Sequence, residues 1–282
     1  MKQPSTTAPT QNKTVMMTET AVMIALGTVL SILKLIDLPY GGSVTVAHMV
    51  PVILIAYRYG PKWGLFSGLT YGILQALLGM KSLSYATSIW AGIAIVVLDY
   101  LAAYLFLGAG AWFRKLKSQP AAVTLGALCA CVLRYVCHVI TGATVWAGLS
   151  IPTSAALDFS LIYNATYMIP ETIVTVAAAY YLSSVLNFHG AHLTARHKGE
   201  RKPGFGLRVV AGFVAIATFV YDVTAIFSHL QDAESGTFSA AGFADVPWNM
   251  VGAVSLAGLV ICGILWRISF TKSINNSKNN NE

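Results

Sequence analysis

Apolar residues run through this chain in blocks of roughly 20, the length that crosses about 30 Å of hydrocarbon at about 1.5 Å per residue. Eight blocks are legible, roughly at 18–37, 44–57, 61–80, 86–108, 120–144, 160–186, 207–228 and 248–268. The second is short and begins near His48 and Pro51, so it reads as a tilted helix or a partly re-entrant segment buried by its neighbours. The pattern predicts an all-α polytopic membrane protein. A polar N-terminal segment (1–17) precedes a compact group of six spans (18–186). A basic linker (187–206), two further spans (207–268) and an Asn/Lys-rich tail (269–282) follow. There is no internal repeat in the 20–50-residue range that marks a solenoid.

Composition sharpens this reading. Of the 282 residues, 56% are hydrophobic and only 10% charged, with a mean hydropathy of +0.65. Soluble domains carry about 25% charged residues. So sparse a set cannot cover a soluble globule of this size, which excludes most cytosolic enzymes, disordered chains and disulfide scaffolds. The net charge of +7 points to topology rather than to nucleic acid. With both termini inside, every basic residue except Lys34, Lys81 and Arg134 falls in a cytoplasmic segment. The outer loops instead carry Asp158, Asp232, Glu234 and Asp245. That is the positive-inside bias of a multi-pass cell-membrane protein with both termini cytoplasmic. No short apolar stretch ends in a cleavage site, so the first span reads as retained. Cys129, Cys131, Cys137 and Cys262 all lie inside spans and read as small packing residues. His189, His192 and His197 occupy the polar linker without acidic or Cys partners, which reads as a solvated loop rather than a metal site. No cofactor is expected.

Ionisable groups inside spans are costly, so each needs a partner or a task. Asp99 lies mid-span, Arg134 and His138 share one helix face four residues apart, Glu171 follows Pro170, and Asp222 lies near the outer end of span seven, within reach of water. Counted from the outer ends, Arg134 and Glu171 lie roughly 15 Å deep, Asp99 about 20 Å, His138 roughly 9 Å and Asn164 roughly 6 Å. This describes a polar shaft open to the outside with charges at its floor. Arg134 and Glu171 read as a structural ion pair, because an unpaired guanidinium in the bundle is hardly tolerable. Asp99 has two readings: a second counter-charge for Arg134, or a carboxylate left free for a cation. Tyr40, Trp146 and the Phe159-Ser160-Leu161-Ile162-Tyr163-Asn164 run gather at the same end. Singly, each aromatic fits the interfacial belt. Together with a carboxylate, His and Asn, they suit a flat cationic heteroaromatic ligand.

These residues also resemble a known family. Span one carries an A-x-x-x-A pair, Ala21 and Ala25; span four an acid-Tyr pair, Asp99-Tyr100. Span five reads R-Y-x-x-H followed by Gly142 and Trp146, and span six S-L-I-Y-N-x-x-Y-M-x-P from Ser160 to Pro170. Over about residues 18–186 the pattern resembles the thiamine-specific substrate-binding (S) component of energy-coupling factor transporters. The resemblance implies a six-helix core, here with two added spans, that binds thiamine near the outer face. Carried over by position, the ligand residues would be Tyr40, Asp99, Tyr100, His138, Trp146, Phe159 and Asn164. It further implies docking through Ala21 and Ala25 onto a membrane coupling protein driven by two cytosolic ATPases. The chain departs from the family in having Tyr40 for Trp, Asp99 for Glu and Phe159 for Tyr, and in its last two spans.

Two other classes can be weighed. A self-sufficient proton-coupled transporter of thiamine or a related pyrimidine would use Glu171, His138 and Asp222 as relay groups. An intramembrane enzyme would need strings such as D-x-x-D or H-E-x-x-H, and neither occurs. No P-loop G-x-x-x-x-G-K-[ST] occurs either, in keeping with ATP being handled by another chain.

Overall fold

The computed structural model describes residues 12–38, 41–86, 88–146, 156–190, 193–195, 204–230, 242 and 244–279. Helices follow the order of the apolar blocks. They are α1 (Lys13–Ile32), α2 (Val50–Tyr59), α3 (Pro61–Leu78), α4 (Ile89–Ala111), α5 (Gln119–Trp146), α6 (Ala156–Val185), α7 (Phe205–Leu230) and α8 (Trp248–Asn279). Among the described residues, six of them, all but α2 and α3, are long and apolar enough to cross a membrane. The chain is an all-α polytopic membrane protein.

The first two spans differ from their predicted form. Helix α1 stops at Ile32, and β1 (Lys34–Asp37) turns back antiparallel against β2 (Ser43–Thr45). Leu33, Leu35 and Ile36 prolong the apolar run, so hydropathy alone carries the first block to residue 37. Gly41, at φ +94°, supplies the left-handed backbone of the connection. Helix α2 has ten residues, about 15 Å of rise, and does not reach across a bilayer. It does not need to. Every residue from Val50 to Arg58 is buried, wrapped by α1, α3, α5, α6 and the end of α4. Short or irregular backbone is tolerated at membrane depth when protein encloses it.

Close backbone approach locks α3 and α4 together. A Cβ on Gly68 would stand 2.4 Å from the Tyr104 carbonyl oxygen, so only glycine fits there. With no hydrophobic drive between helices in lipid, such small-residue contacts supply packing energy. Helix α4 changes its winding, from α-helix over Ile89–Ala94 to a π-helix over Ile95–Ala102 and a 3-10 helix over Phe106–Ala111. π segments widen the turn and turn side chains out of α register, commonly at functional sites. This one carries Asp99 and Tyr100.

At the end of the bundle away from the β1–β2 hairpin, the inner end, Arg58 is buried. Its Nε donates to Glu19 at 2.7 Å, and its Nη1 donates to the carbonyls of Phe188 at 3.0 Å and Gly190 at 3.1 Å. Tyr59 also donates to Glu19. The linker begins as a folded element, with β3 (Leu186–Asn187) pairing β4 (Thr194–Ala195) and His189 against Gln119 at 3.0 Å. No metal-binding group of His, Cys, Asp and Glu forms among the described residues. His192 and His197 lie outside them.

Helices α7 and α8 form an antiparallel pair. Arg208 Nε donates to Ser269 Oγ at 2.9 Å, and Ser255 Oγ donates to Asp222 Oδ2 at 2.6 Å. Asp222 thus ties the two added helices together.

Arg58→Ala would leave the Glu19 carboxylate and two carbonyls without their donor. It should lower stability by about 3 kcal/mol, read as a fall in melting temperature of detergent-solubilised protein, while exposed Lys62→Ala leaves it unchanged.

Candidate functional site

A cavity of about 720 Å³ opens between the β1–β2 hairpin, the Gly79–Ser82 turn and the outer halves of α4, α5 and α6. Its polar groups come from separate elements, so it exists only in the folded bundle.

The floor is a chain of hydrogen bonds. Arg134 on α5 is buried, with Nη2 donating to Tyr104 Oη at 3.1 Å and Nη1 donating to Met49 Sδ at 3.0 Å. Nη1 also lies 3.3 Å from His48 Nε2. The guanidinium carbon stands 4.6 Å from the centre of the Tyr104 ring, a cation–π contact. Across His48, Glu171 on α6 accepts the Thr45 amide at 2.7 Å and the Thr45 hydroxyl at 2.9 Å. Because that hydroxyl spends its only hydrogen on Glu171, it must accept from His48 Nδ1, 2.7 Å away. His48 Nε2 is then the lone-pair end that receives Arg134. The order is Arg134, His48, Thr45, Glu171. The direct Arg134–Glu171 pair expected from the sequence does not form among the described residues; an imidazole and a hydroxyl connect the two charges. Arg134 is the longer side chain, and the His48 ring occupies the space between them.

The wall is a carboxylate–imidazole pair. Asp99 Oδ1 lies 2.8 Å from His138 Nδ1, and the side chains are 24% and 11% exposed. Asp99, on the π-helical segment of α4, pairs with His138 and not with Arg134. His138 Nε2 is buried without a partner among the described residues, which leaves one imidazole nitrogen for a ligand. Asn164 is held beside it, donating to Ser160 Oγ at 3.0 Å and to the His138 carbonyl at 3.3 Å. Its Oδ1 accepts Tyr167 Oη at 2.5 Å.

The roof is tied down by a tyrosine. Gly42 N–H donates to Tyr163 Oη at 3.2 Å, and a Cβ on Gly42 would meet the Tyr167 ring at 2.7 Å. Tyr100 lines the cavity, and its hydroxyl donates to the Gly79 carbonyl at 3.0 Å, with Ser82 Oγ also 3.0 Å away.

Of the predicted ligand residues, Asp99, Tyr100, His138 and Asn164 line this one cavity. Phe159 does not line it; it stacks on Tyr163 with ring centres 6.0 Å apart and planes 3° apart. Tyr40 lies outside the described residues, and Trp146 closes α5 with its side chain outside them. Ala21 and Ala25 are exposed on α1, whose buried face is Thr20, Ile24 and Gly27. Sequence reasoning missed His48, Thr45, Tyr104 and Tyr167. A His in an irregular segment before a fully apolar helix was the available signal for the first of these.

With this geometry in hand, similarity to known proteins becomes informative. Residues 17–188 match the family model described as thiamine transporter protein (Thia_YuaJ). The chain belongs to the thiamine transporter family. It is 32% identical over 168 residues to the thiamine transporter ThiT of Bacillus subtilis (strain 168), covering 55% of this chain and 83% of that protein. The matched region ends just beyond α6, so α7 and α8 are additional to the family region and the cavity lies wholly within it.

Thr45→Val removes the hydroxyl that joins His48 to Glu171. It should cost about 1–3 kcal/mol of thermal stability, and Thr45→Ser should restore most of that loss, both read as melting temperatures in detergent.

Proposed function

We propose that this protein is the substrate-binding membrane subunit of a thiamine uptake system, capturing thiamine from the outer face of the cell membrane. The observation that carries the reading is the Asp99–His138 pair inside the large cavity of a thiamine-transporter-family chain. Thiamine is a cationic thiazolium joined to an aminopyrimidine. Asp99 supplies the negative charge, while His138 Nε2 and the remaining lone pair of Asn164 Oδ1 supply the directional partners that a pyrimidine edge requires. The volume suits a ligand of this size, since small-molecule pockets run from about 300 to 1,000 Å³. Asp99 reaches one methylene less far than the glutamate expected from the family.

The purified protein should bind thiamine without ATP and quench its tryptophan fluorescence on doing so. Asp99→Asn should weaken thiamine by about 1.5–3 kcal/mol and a neutral isosteric analogue far less. Tight binding of a pyrimidine-only ligand with none of thiamine overturns the assignment.

Energy for uptake comes, in this proposal, from a membrane coupling protein and two cytosolic ATPases that dock on α1. Support comes from the exposure of Ala21 and Ala25, one turn apart, with Val22 and Leu26 exposed alongside. Small side chains on a lipid-facing helix let a partner helix approach closely. Replacing both alanines with Trp should leave thiamine binding intact and abolish uptake into cells. Loss of ligand binding in that variant would show the stripe to be internal packing. Unchanged uptake that survives ATP depletion but not a protonophore would favour a proton-coupled transporter.

A further inference from the structure

The added helices meet the family core in a way that bears on the cavity. Helix α6 carries Pro170 in its interior, and proline donates no amide to the preceding turn. The helix is therefore jointed. Its outer half, Ala156 to Ile169, bears Tyr163, Asn164 and Tyr167; its inner half packs Val174 and Ala179 into the main core. Tyr163 in turn holds the roof of the cavity through Gly42.

Helix α7 lies across this joint. Ile216 packs against the main core cluster that contains Val174 and Ala179. Val223 is buried in a second cluster with Tyr163, Tyr167 and Met168, and Phe219 packs against that same cluster. Residues 216, 219 and 223 follow helical spacing and present one face. One face of α7 thus meets clusters supplied from both sides of Pro170, while Asp222, between its contact residues, is bonded to Ser255 on α8. Bulky apolar residues on the rest of the pair, such as Phe213, Leu256 and Leu259, are exposed.

We propose that α7 is a splint on the Pro170 joint, and that Phe219 and Val223 are positioning residues that hold Tyr163 and Tyr167 in place around the cavity. The ligand readout of this proposal rests on the thiamine reading above; the splint itself does not. Thiamine leaves the cavity when the outer half of α6 and the hairpin roof part, and α7 slows that parting.

The test uses the full-length protein with Phe219→Ala, Val223→Ala and the double variant. Val123→Ala, buried in the main core near the inner end of α5, serves as a matched packing loss away from the joint and the cavity. Thiamine dissociation is followed by fluorescence after dilution into competitor, and amide hydrogen exchange is measured over residues 156–169 without ligand. The double variant should release thiamine about tenfold faster with little change in association rate, and should exchange faster over 156–169. Val123→Ala should lower the melting temperature comparably to Val223→Ala yet keep the wild-type release rate, and Phe219→Leu should restore slow release. Equal release rates in all variants, or equal acceleration by Val123→Ala, overturn the splint. If the double variant fails to fold, the single substitutions carry the same comparison. Wild-type protein that captures no thiamine overturns the functional reading instead, and the exchange measurement still decides the splint.

Discussion

A guanidinium buried in a membrane bundle must be balanced, and the way Arg134 is balanced organises the outer half of this protein. Its counter-charge, Glu171, is reached through His48, which lies 3.6 Å from Glu171 and is bridged to it by Thr45, so the segment between β2 and α2 has to sit between α5 and α6. A direct ion pair would have joined two helices and nothing else. The longer route also fixes an irregular stretch of backbone and, through it, the start of α2. Each link uses a donor and an acceptor that would otherwise be stranded in low dielectric, where an unmet polar group costs most. That requirement explains why a ten-residue helix can occupy the middle of the bundle. It is anchored outside by the His48 relay and inside by Arg58, whose own charge is met by Glu19 and two carbonyls.

The parts of the fold that were legible in the sequence are those governed by bulk hydropathy. Helices α4 to α8 fall where their apolar blocks lie, because length and apolarity decide whether a segment resides in hydrocarbon; α3 follows its block but falls short of a span on the same measure. The hairpin and α2 were not legible in the same way. Leu33, Leu35 and Ile36 are apolar whether they extend a helix or form a strand, and hydropathy does not distinguish the two. The site was legible in its residues but not in its pairings. Asp99, His138 and Asn164 were visible as polar groups in apolar spans, which is a property of single positions. That Asp99 meets His138 and not Arg134 is a matter of how α4 and α5 pack, which no residue spacing announces. Thr45 and Tyr104 are commonplace residue types near a membrane face, and they acquire meaning only from the neighbours the fold gives them.

The charges around the cavity are arranged with opposite signs at different places: a carboxylate at the wall and a guanidinium at the floor. For the cationic ligand proposed, the wall attracts and the floor repels, so the arrangement orients the ligand as well as holding it. Interactions between charges in a poorly solvated cavity are stronger than in water. A positive floor also opposes passage deeper into the bundle. Beneath it lie Met49, Ile53 and the rest of α2, fully buried and closely packed. Among the described residues the cavity therefore opens beside the hairpin and ends against α2.

On the function proposed, a cavity of this kind serves capture, while α1 presents a second surface with two unlike faces. Its buried face, Thr20, Ile24 and Gly27, is committed to the bundle; the Gly27 carbonyl accepts Tyr71 Oη at 2.9 Å, and a Cβ there would meet the His48 carbonyl, close to the relay. Its opposite face offers Ala21 and Ala25 to the bilayer, far from Asp99 and His138 along the chain and lining no part of the cavity. Helix α6 faces the other way, lining the cavity on one side and meeting α7 on the other. On the function proposed, ligand contacts come from α4, α5 and α6, and Arg134 at the floor, tied to His48 and Tyr104, stands between the ligand and α2.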